Sequence, residues 1–375
     1  MADRSPAIRF LVRWMLYPLQ ALLVGILYYA ISALPLRWAA GIGSFVFRTV
    51  GQRMRVARVA EENVQRVFPE LADSERELLM QNIWDNLGRG AGEFAHLNKF
   101  SHEGFEPRIE IVGVDHLDAL RTSGRAGILI SAHTGNWELA ARIFGQILIP
   151  HGQVYRGADN PYIDRLFRNV REHQSVKLVP KGRTGAIEML RLMRKGTHFG
   201  VMMDQKLNEG VAVPFFGHDA MTATAPVELA LRNGSPIVPV RCIRLPDSHF
   251  RIEISPPIQI VVTGDRKKDV MAALIEINKT IESHIYDGVA VTKFLYWIKK
   301  NQNKKISETD AEKKLESFRK QNKNYLFPSF STISATGKNG SIIHYRASNK
   351  TCREIKKNDI YLCDSGGQYL SLIHI

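Results

Sequence analysis

The sequence contains few cysteines, and those present form neither a disulfide framework nor a metal site. Three of the 375 residues are cysteine, namely Cys242, Cys352 and Cys363. An odd number cannot form a complete set of disulfides, and the spacing does not match a set of metal ligands. This usage is typical of proteins from a reducing compartment.

No basic stretch of the chain has the interleaved aromatic side chains of a single-strand nucleic-acid binder, so we expect no nucleic-acid partner. The formal net charge is nevertheless +14. Up to residue 284 the basic residues are 27 Arg and 8 Lys, whereas beyond it they are 3 Arg and 13 Lys. Electrostatics does not require this switch from Arg to Lys. It indicates two sequences of different origin joined near residue 284, and the length permits two domains.

Charged residues are missing from Leu16 to Leu34, a stretch of 19 residues with Arg13 before it and Arg37 after it. A stretch of this length can cross the hydrocarbon core of a bilayer. A second apolar patch, Trp38 to Val50, follows at once, so an anchor lying in the membrane plane is the alternative to a single span. No short apolar region ends in a small-residue cleavage site, which disfavours a cleaved signal peptide.

The most informative stretch runs from Gly127 to Glu138. Its apolar start predicts a buried strand, Gly135 and Asn136 end it, and a helix follows with Asn136 as its N-cap. His133 then lies at the carboxyl end of the strand, where α/β proteins bind ligands. If the turn brings Glu138 to the imidazole, the carboxylate fixes the tautomer and leaves the other nitrogen free to accept a proton. The alternative is a strand-end histidine beside a solvated glutamate.

Strands and helices alternate after this stretch, which predicts a largely parallel, two-sided α/β domain. A short strand ends in Arg156, and Asn160 with Pro161 opens a helix. Phe199 to Met203 is predicted as a strand that brings Asp204 to the same sheet edge as His133. Arg165, Arg168 and Arg171 share one face of a helix, which is either solvated or a contact for acidic partners.

Residues 10–284 resemble the lipid A biosynthesis acyltransferases, the lauroyl and myristoyl transferases of the lysophospholipid acyltransferase superfamily. The resemblance rests on an apolar N-terminal segment and on motifs in a fixed order: His133–Glu138, Val154–Arg156, Asn160–Pro161, Lys181–Arg183, Met203–Gln205, Val213–Gly217 and Pro236–Pro239. It implies a membrane-anchored α/β fold of the glycerolipid-acyltransferase type, with a mixed or parallel sheet flanked by helices. It further implies transfer of a fatty acyl chain from acyl carrier protein to a hydroxyl of a lipid A precursor, at the cytoplasmic face of the bacterial inner membrane, without a cofactor.

The same resemblance implies that His133 is the catalytic base and Glu138 its acidic partner. An alcohol needs such a base because it is a poor nucleophile at neutral pH. We expect substrate contacts from Arg156, Asp204, Gln205 and Asn136, with Arg156 or backbone N–H groups near Gly135 facing the charge that develops on the thioester oxygen. Arg156 as a plain surface residue and Asp204 as a structural cap remain the alternatives.

Residues 285–370 resemble the start of the catalytic domain of Xaa-Pro aminopeptidase, a two-metal enzyme of pita-bread α+β fold. The resemblance rests on Ser307–Asp310, which is typical of a helix capping box, and on segments around His344 and Asp364. Asp364 matches one metal-ligand position and His344 a substrate-contacting one. A single carboxylate cannot hold two divalent ions, so we expect no functional metal site, no peptidase activity and a loosely ordered segment.

We therefore divide the chain into a membrane anchor (1–50), an acyltransferase domain (51–284), an incomplete aminopeptidase-like segment (285–370) and an unmatched tail (371–375). The aromatic and Arg-rich segment that usually closes these acyltransferases is missing. A join of two bacterial reading frames and a natural bifunctional protein both remain open. Three functions compete: a membrane acyltransferase, a metallopeptidase relative, and a membrane-anchored lipid-binding protein without turnover.

Overall fold

The computed structural model describes residues 12–101, 103, 107–122, 124–172 and 176–369. The first residues of the expected anchor and the tail at 371–375 lie outside the described residues. The chain divides into two compact units. One comprises Met1–Ala212 and Asp219–Ile258, and the other comprises Val213–His218 and Gln259–Ile375.

Four helices form the N-terminal part of the first unit. A π-helical turn, Val12–Leu16, continues into α1 (Tyr17–Ala33), which is followed by α2 (Leu36–Val50), α3 (Arg55–Val67) and α4 (Asp73–Phe94). Val12–Ala33 is the one helical stretch, among the described residues, that is long and apolar enough to cross a membrane. α4 begins at Asp73, and the carboxylate of Glu75 accepts the N–H of Ala72 at 3.1 Å.

Glycines allow α2 and α4 to pack with their backbones almost in contact. A Cβ added to Gly88 would lie 2.3 Å from the carbonyl oxygen of Gly43, and one added to Gly92 would lie 2.1 Å from that of Ala39. No side chain fits at such a distance, so glycine is required at both positions of α4. The packed face of α2 is therefore the one with small residues, while Trp38 and Phe45 are exposed to solvent.

The centre of the first unit is a seven-stranded sheet. Its strands are β1 (Ile109–Val112), β2 (Ile128–Ser131), β3 (His151–Tyr155), β4 (Val176–Pro180), β5 (His198–Met202), β8 (Ile237–Leu245) and β9 (His249–Ile254), in the order β1-β9-β8-β2-β5-β3-β4. Neighbouring strands are parallel except β8 and β9. Between β5 and β8 the chain forms a hairpin, β6 (Val211–Phe215) and β7 (His218–Thr222). The expected α/β fold with a mostly parallel sheet is confirmed.

Five further helices connect the strands of the first unit: α5 (Asp115–Thr122), α6 (Trp137–Ile147), α7 (Pro161–Arg171), α8 (Arg183–Met193) and α9 (Ala225–Asn233). Asn160 caps α7 as predicted, since its side chain accepts the N–H of Tyr162 at 3.0 Å. Leu139 and Ile143 of α6 are fully buried. Burial of each such side chain stabilises the fold by about 1.5–3 kcal/mol, which fixes α6 behind the end of β2.

The second unit contains α10 (Arg266–Lys300), α11 (Glu308–Arg319) and two hairpin-like pairs of strands. β10 (Tyr325–Pro328) pairs with β13 (Gly367–Tyr369), and β11 (Ile333–Thr336) pairs with β12 (Tyr361–Asp364). α10 is one continuous helix of 35 residues that runs through residue 284. The predicted capping box is present, since Ser307 Oγ accepts the N–H of Asp310 at 3.1 Å.

Residues 285–369 are not loosely ordered, contrary to expectation. Phe294, Ala311 and Leu315 are buried together in a small apolar core. Arg319 is 1% exposed and bonds Asp287, with 2.8 Å between Nε and Oδ1. Buried ionic and apolar contacts thus hold residues 285–369 in a defined arrangement.

Candidate active site

Two neighbouring parallel strands bring His133 and Asp204 to one sheet edge. Ser131 at the end of β2 is in register with Met202 at the end of β5. The N–H of Met203 then donates to the carbonyl of Ser131 at 3.0 Å. His133 and Asp204 each lie two residues beyond this paired position, so the ladder itself aligns them.

Asp204 holds His133 through both of its carboxylate oxygens. Oδ1 lies 2.7 Å from the imidazole Nδ1, and Oδ2 accepts the backbone N–H of His133 at 2.8 Å. A carboxylate accepts hydrogen bonds, so the imidazole proton belongs on Nδ1. Nε2 is then the basic nitrogen, and the amide Nε2 of Gln205 lies 3.2 Å from it. This is the tautomer that a general base requires.

Glu138 is not the carboxylate that bonds His133. It is in the first turn of α6 and forms a bidentate ion pair with Arg171 of α7, at 2.8 Å to Nε and 2.7 Å to Nη2. Burial lowers the pKa of Arg171, but the hydrogen bonds and the charge of Glu138 offset this and raise it above its usual value. Arg171 also lies over the ring of Phe94, 5.2 Å from its centroid. The expected partner of the imidazole is therefore replaced by Asp204.

A cavity of about 520 Å³ opens beside His133. Apolar side chains form much of its wall: Ala141, Val154, Val176, Met189, Val201 and Leu229. Arg156, which follows the end of β3, and Gln205 line the same cavity, as do His133, Glu138 and Arg171. The cavity thus combines an apolar interior with a base and several cationic or amide donors, as expected for a site that binds a ligand with an apolar chain and a polar end.

Asn136 lies behind the active-site loop and not in the cavity. It precedes α6 as expected, but its side chain makes no capping hydrogen bond. The side chain is buried, and its Nδ2 donates to Glu93 Oε2 at 2.9 Å. The predicted substrate contact by this amide does not fit that placement. Glu93 was not identified from the sequence, because a single acidic residue in a helix of mixed polarity carries no motif.

Two buried titratable groups of the first unit are neutral. Burial, with a smaller contribution from His198, lowers the pKa of His151 in β3 to about 3. Burial raises the pKa of the Cys242 thiol to about 12, although the N–H of Asn136 bonds its sulfur. A thiol with such a pKa is not a nucleophile at neutral pH.

The basic face of α7 is only partly solvated. Arg168 pairs with Glu172 at 3.0 Å on the surface, whereas Arg171 is committed to Glu138. Arg165 is exposed. One member of the predicted triplet is thus part of the cavity wall, and two remain on the surface.

Asp364 and His344 do not form a metal centre. Asp364 is exposed on β12, opposite Ile333 of β11, and His344 follows a short 3-10 turn with a φ of +54°. No group of three or more His, Cys, Asp or Glu side chains in the described ranges is arranged to hold a metal ion. The residues present do not fit the pair of divalent ions that a two-metal peptidase needs.

Comparison with known families gives two matches. Residues 1–299 match the family model described as bacterial lipid A biosynthesis acyltransferase. The chain belongs to this acyltransferase family. Residues 278–373 match the model of metallopeptidase family M24, and the two matches overlap within α10. Both resemblances seen in the sequence are confirmed.

The C-terminal part is similar to Xaa-Pro aminopeptidases. It is 44% identical to Xaa-Pro aminopeptidase ApepP of Drosophila melanogaster over 128 residues, which are 34% of this chain and 20% of that protein. It is 44% identical to probable Xaa-Pro aminopeptidase P of Podospora anserina over 99 residues, 26% of this chain and 15% of that protein. The chain thus spans a fifth or less of the length of these curated relatives.

Proposed function

We propose that the protein transfers a fatty acyl chain from acyl carrier protein to a hydroxyl group of a lipid A precursor, without a cofactor. The observation that carries the proposal is the imidazole of His133, which has a carboxylate on Nδ1 and lies at the wall of a largely apolar cavity of about 520 Å³. Family membership supplies the reaction class, and the cavity supplies room for an acyl chain.

On this proposal His133 Nε2 removes the proton of the acceptor hydroxyl as its oxygen attacks the thioester carbonyl. The carbon–sulfur bond then breaks, and the imidazolium returns the proton to the departing thiolate. The products are the ester and the free carrier thiol, so no covalent enzyme intermediate is needed. A positioned base of this kind contributes about 10²–10⁴-fold to rate.

Charge developing on the thioester oxygen needs a donor on the cavity wall. Arg156 and Gln205 are the proposed donors, because both line the cavity that contains His133. Glu138 is proposed to act indirectly, since its carboxylate is occupied by Arg171. In this role it keeps a cation beside the cavity, where a thioester oxygen or an acidic headgroup would bind.

Attachment to the inner membrane, with the site facing the cytoplasm, is part of the proposal. On α1, Leu22, Leu23 and Ile26 are each about 60% exposed. On α2, Trp38 and Phe45 are each 68% exposed. Between residues 12 and 60 the charged side chains are all arginine. Exposed apolar helices whose only charged residues are basic are complementary to a bilayer that contains anionic lipids.

The second candidate function is that of a metallopeptidase relative, favoured by the M24 match at 278–373. We infer that this segment, taken as 285–370, has no peptidase activity, because its one matching carboxylate belongs to no group of three or more possible metal ligands among the described residues. On this reading acyl transfer belongs to residues 51–284, with residues 1–50 as the anchor.

The test is acyl transfer from acyl carrier protein to a lipid A precursor by membranes containing the full chain. We expect His133→Ala to abolish transfer while retention of acyl lipid is unchanged. His116→Ala serves as the matched control, because His116 of α5 does not line the cavity. If the parent chain and the control variant both bind lipid but neither transfers an acyl group, the lipid-binding alternative is supported. Hydrolysis of an Xaa-Pro peptide to the free N-terminal amino acid and a peptide beginning with Pro, with added Mn²⁺, would support the peptidase.

A further inference from the structure

The loop that follows His133 is tied to α4 and β8 by a closed ring of hydrogen bonds. The carbonyl of Gly135 accepts Asn86 Nδ2 at 2.9 Å, and Asn86 Oδ1 accepts Arg244 Nε at 2.8 Å. Arg244 Nη1 donates to Glu93 Oε1, and Glu93 Oε2 accepts Asn136 Nδ2 at 2.9 Å. Gly135 and Asn136 are consecutive, so the ring begins and ends in the same loop.

The ion pair between Glu93 and Arg244 is the buried part of the ring. Glu93 has no exposed surface, and the hydroxyl of Ser248 donates to its Oε1 at 2.9 Å, so the carboxylate accepts three hydrogen bonds in all. Arg244 is further confined by the ring of Phe250, 4.8 Å from its centroid. Buried ion pairs seldom add net stability, because desolvation offsets their attraction. Their geometry is nevertheless rigid, which suits a role in positioning.

The loop has little freedom of its own to lose. Gly135 adopts a φ of +57°, and a Cβ there would lie 2.4 Å from the carbonyl oxygen of Cys242. The turn therefore rests directly on β8. His133 is held directly by Asp204. It is also held indirectly by the ring, which binds Gly135 and Asn136 of the same loop.

We propose that Asn86, Arg244 and Glu93 are positioning residues for acyl transfer: they set the place of His133 by holding Gly135 and Asn136. This inference rests on the proposed function, because it assigns the ring to the same base. None of the three side chains lines the cavity. Their loss should therefore act on the rate of the chemical step and not on the binding of the acyl donor.

The test compares Asn86→Ala with Asn82→Ala in the full chain. Asn82 is exposed one turn earlier on α4, and it is the matched control. We expect Asn86→Ala to lower kcat about 10–100-fold with KM for the acyl donor changed less than about threefold, since a base misplaced by about 1 Å costs up to two orders of magnitude. Asn82→Ala should leave both unchanged.

The ring also predicts how two changes combine. Opening a closed ring at either end of the loop has the same consequence, so Asn136→Ala and the double variant with Asn86→Ala should lower kcat about as much as Asn86→Ala alone. Multiplicative losses would overturn the inference. So would a loss confined to KM, because that outcome describes a binding or merely structural role.

Hydrogen exchange separates this inference from the proposed function. We expect Asn86→Ala to speed amide exchange in residues 131–138 at least tenfold, with no change in α7. Unchanged exchange there refutes the ring, even if the parent chain is an active acyltransferase. If Asn86→Ala speeds exchange but the parent chain transfers no acyl group, the ring holds the loop in place without a role in acyl transfer. That outcome refutes this inference together with the proposed function.

Discussion

Replacing Asp204 with asparagine should disable His133 by changing its tautomer. The backbone N–H of His133 always donates, so it will select the amide oxygen of the new side chain. The amide NH₂ then faces Nδ1, where the carboxylate Oδ1 now lies at 2.7 Å. Two donors cannot face each other, so Nδ1 must lose its proton and accept. Nε2 becomes protonated and can no longer act as a base.

The magnitude follows from the loss of the base. Among serine proteases, an asparagine that reverses the histidine tautomer in this way lowers kcat about 10⁴-fold. The imidazole here is partly exposed, with 28% of its side-chain surface accessible, so water can support some of the active tautomer. We therefore expect kcat to fall about 10²–10⁴-fold, which corresponds to about 2.7–5.4 kcal/mol of transition-state stabilisation.

Single-turnover transfer of a labelled acyl chain from its carrier protein measures this effect directly. Asp219→Asn, an exposed change on β7, makes the same chemical substitution without touching His133. The apparent melting temperature should be similar for both variants. If Asp204→Asn retains more than about a third of the parent kcat, the carboxylate does not control the imidazole, and the assignment of Nε2 as the base fails.

Three further predictions follow from contacts described above. Arg171→Ala leaves the half-buried carboxylate of Glu138 unpaired and should lower the free energy of unfolding by about 1–3 kcal/mol. Adding Glu138→Gln should restore part of this loss in denaturant titrations, and no recovery would mean that the two side chains are not coupled. The pKa of His151 is about 3 in the folded state and near 6.5 in the unfolded state, so between these pH values only the unfolded state binds the proton. The free energy of unfolding should therefore fall by about 1.4 kcal/mol per pH unit as pH drops from 6.5 toward 3. His151→Leu should flatten that slope in thermal melts at pH 7, 6 and 5. Gly88→Ala forces a methyl group against a backbone carbonyl and should destabilise the folded state by about 1–3 kcal/mol. Gly90→Ala, with open space around it, should stabilise the folded state slightly. Equal melting temperatures for the two variants would argue against the close packing of α2 on α4.

The sequence was sufficient to predict the strand that ends before His133 and the return of Asp204 to the same edge. Both predictions follow from local patterns, a short apolar run and the polar residue after it. The pairing of the imidazole was not predictable in the same way. Glu138 is five residues away in sequence, yet Asp204, 71 residues away, is the partner, because register across two parallel strands is a tertiary property.

The ring of hydrogen bonds around Glu93 and the continuity of α10 were also not predictable from the sequence. Glu93 and Arg244 are 151 residues apart, and nothing in their local patterns indicates that they meet. The change from Arg-rich to Lys-rich usage near residue 284 predicted two joined sequences, but it carried no information on secondary structure. α10 runs through this position without a break, from Arg266 to Lys300. Arg and Lys have similar helix propensities, so a change from one to the other does not end a helix.

The alignment of His133 and Asp204 by one strand pair has a consequence for folding. Neither residue can meet the other until β2 and β5 have closed a ladder across 71 residues of intervening chain. Pairing between strands so distant in sequence is slow, because loop-closure entropy is lost before the contacts form. During refolding or synthesis, acyl transfer should therefore return only after the helices have formed and the sheet has closed, so its return would report how quickly the central strands find each other.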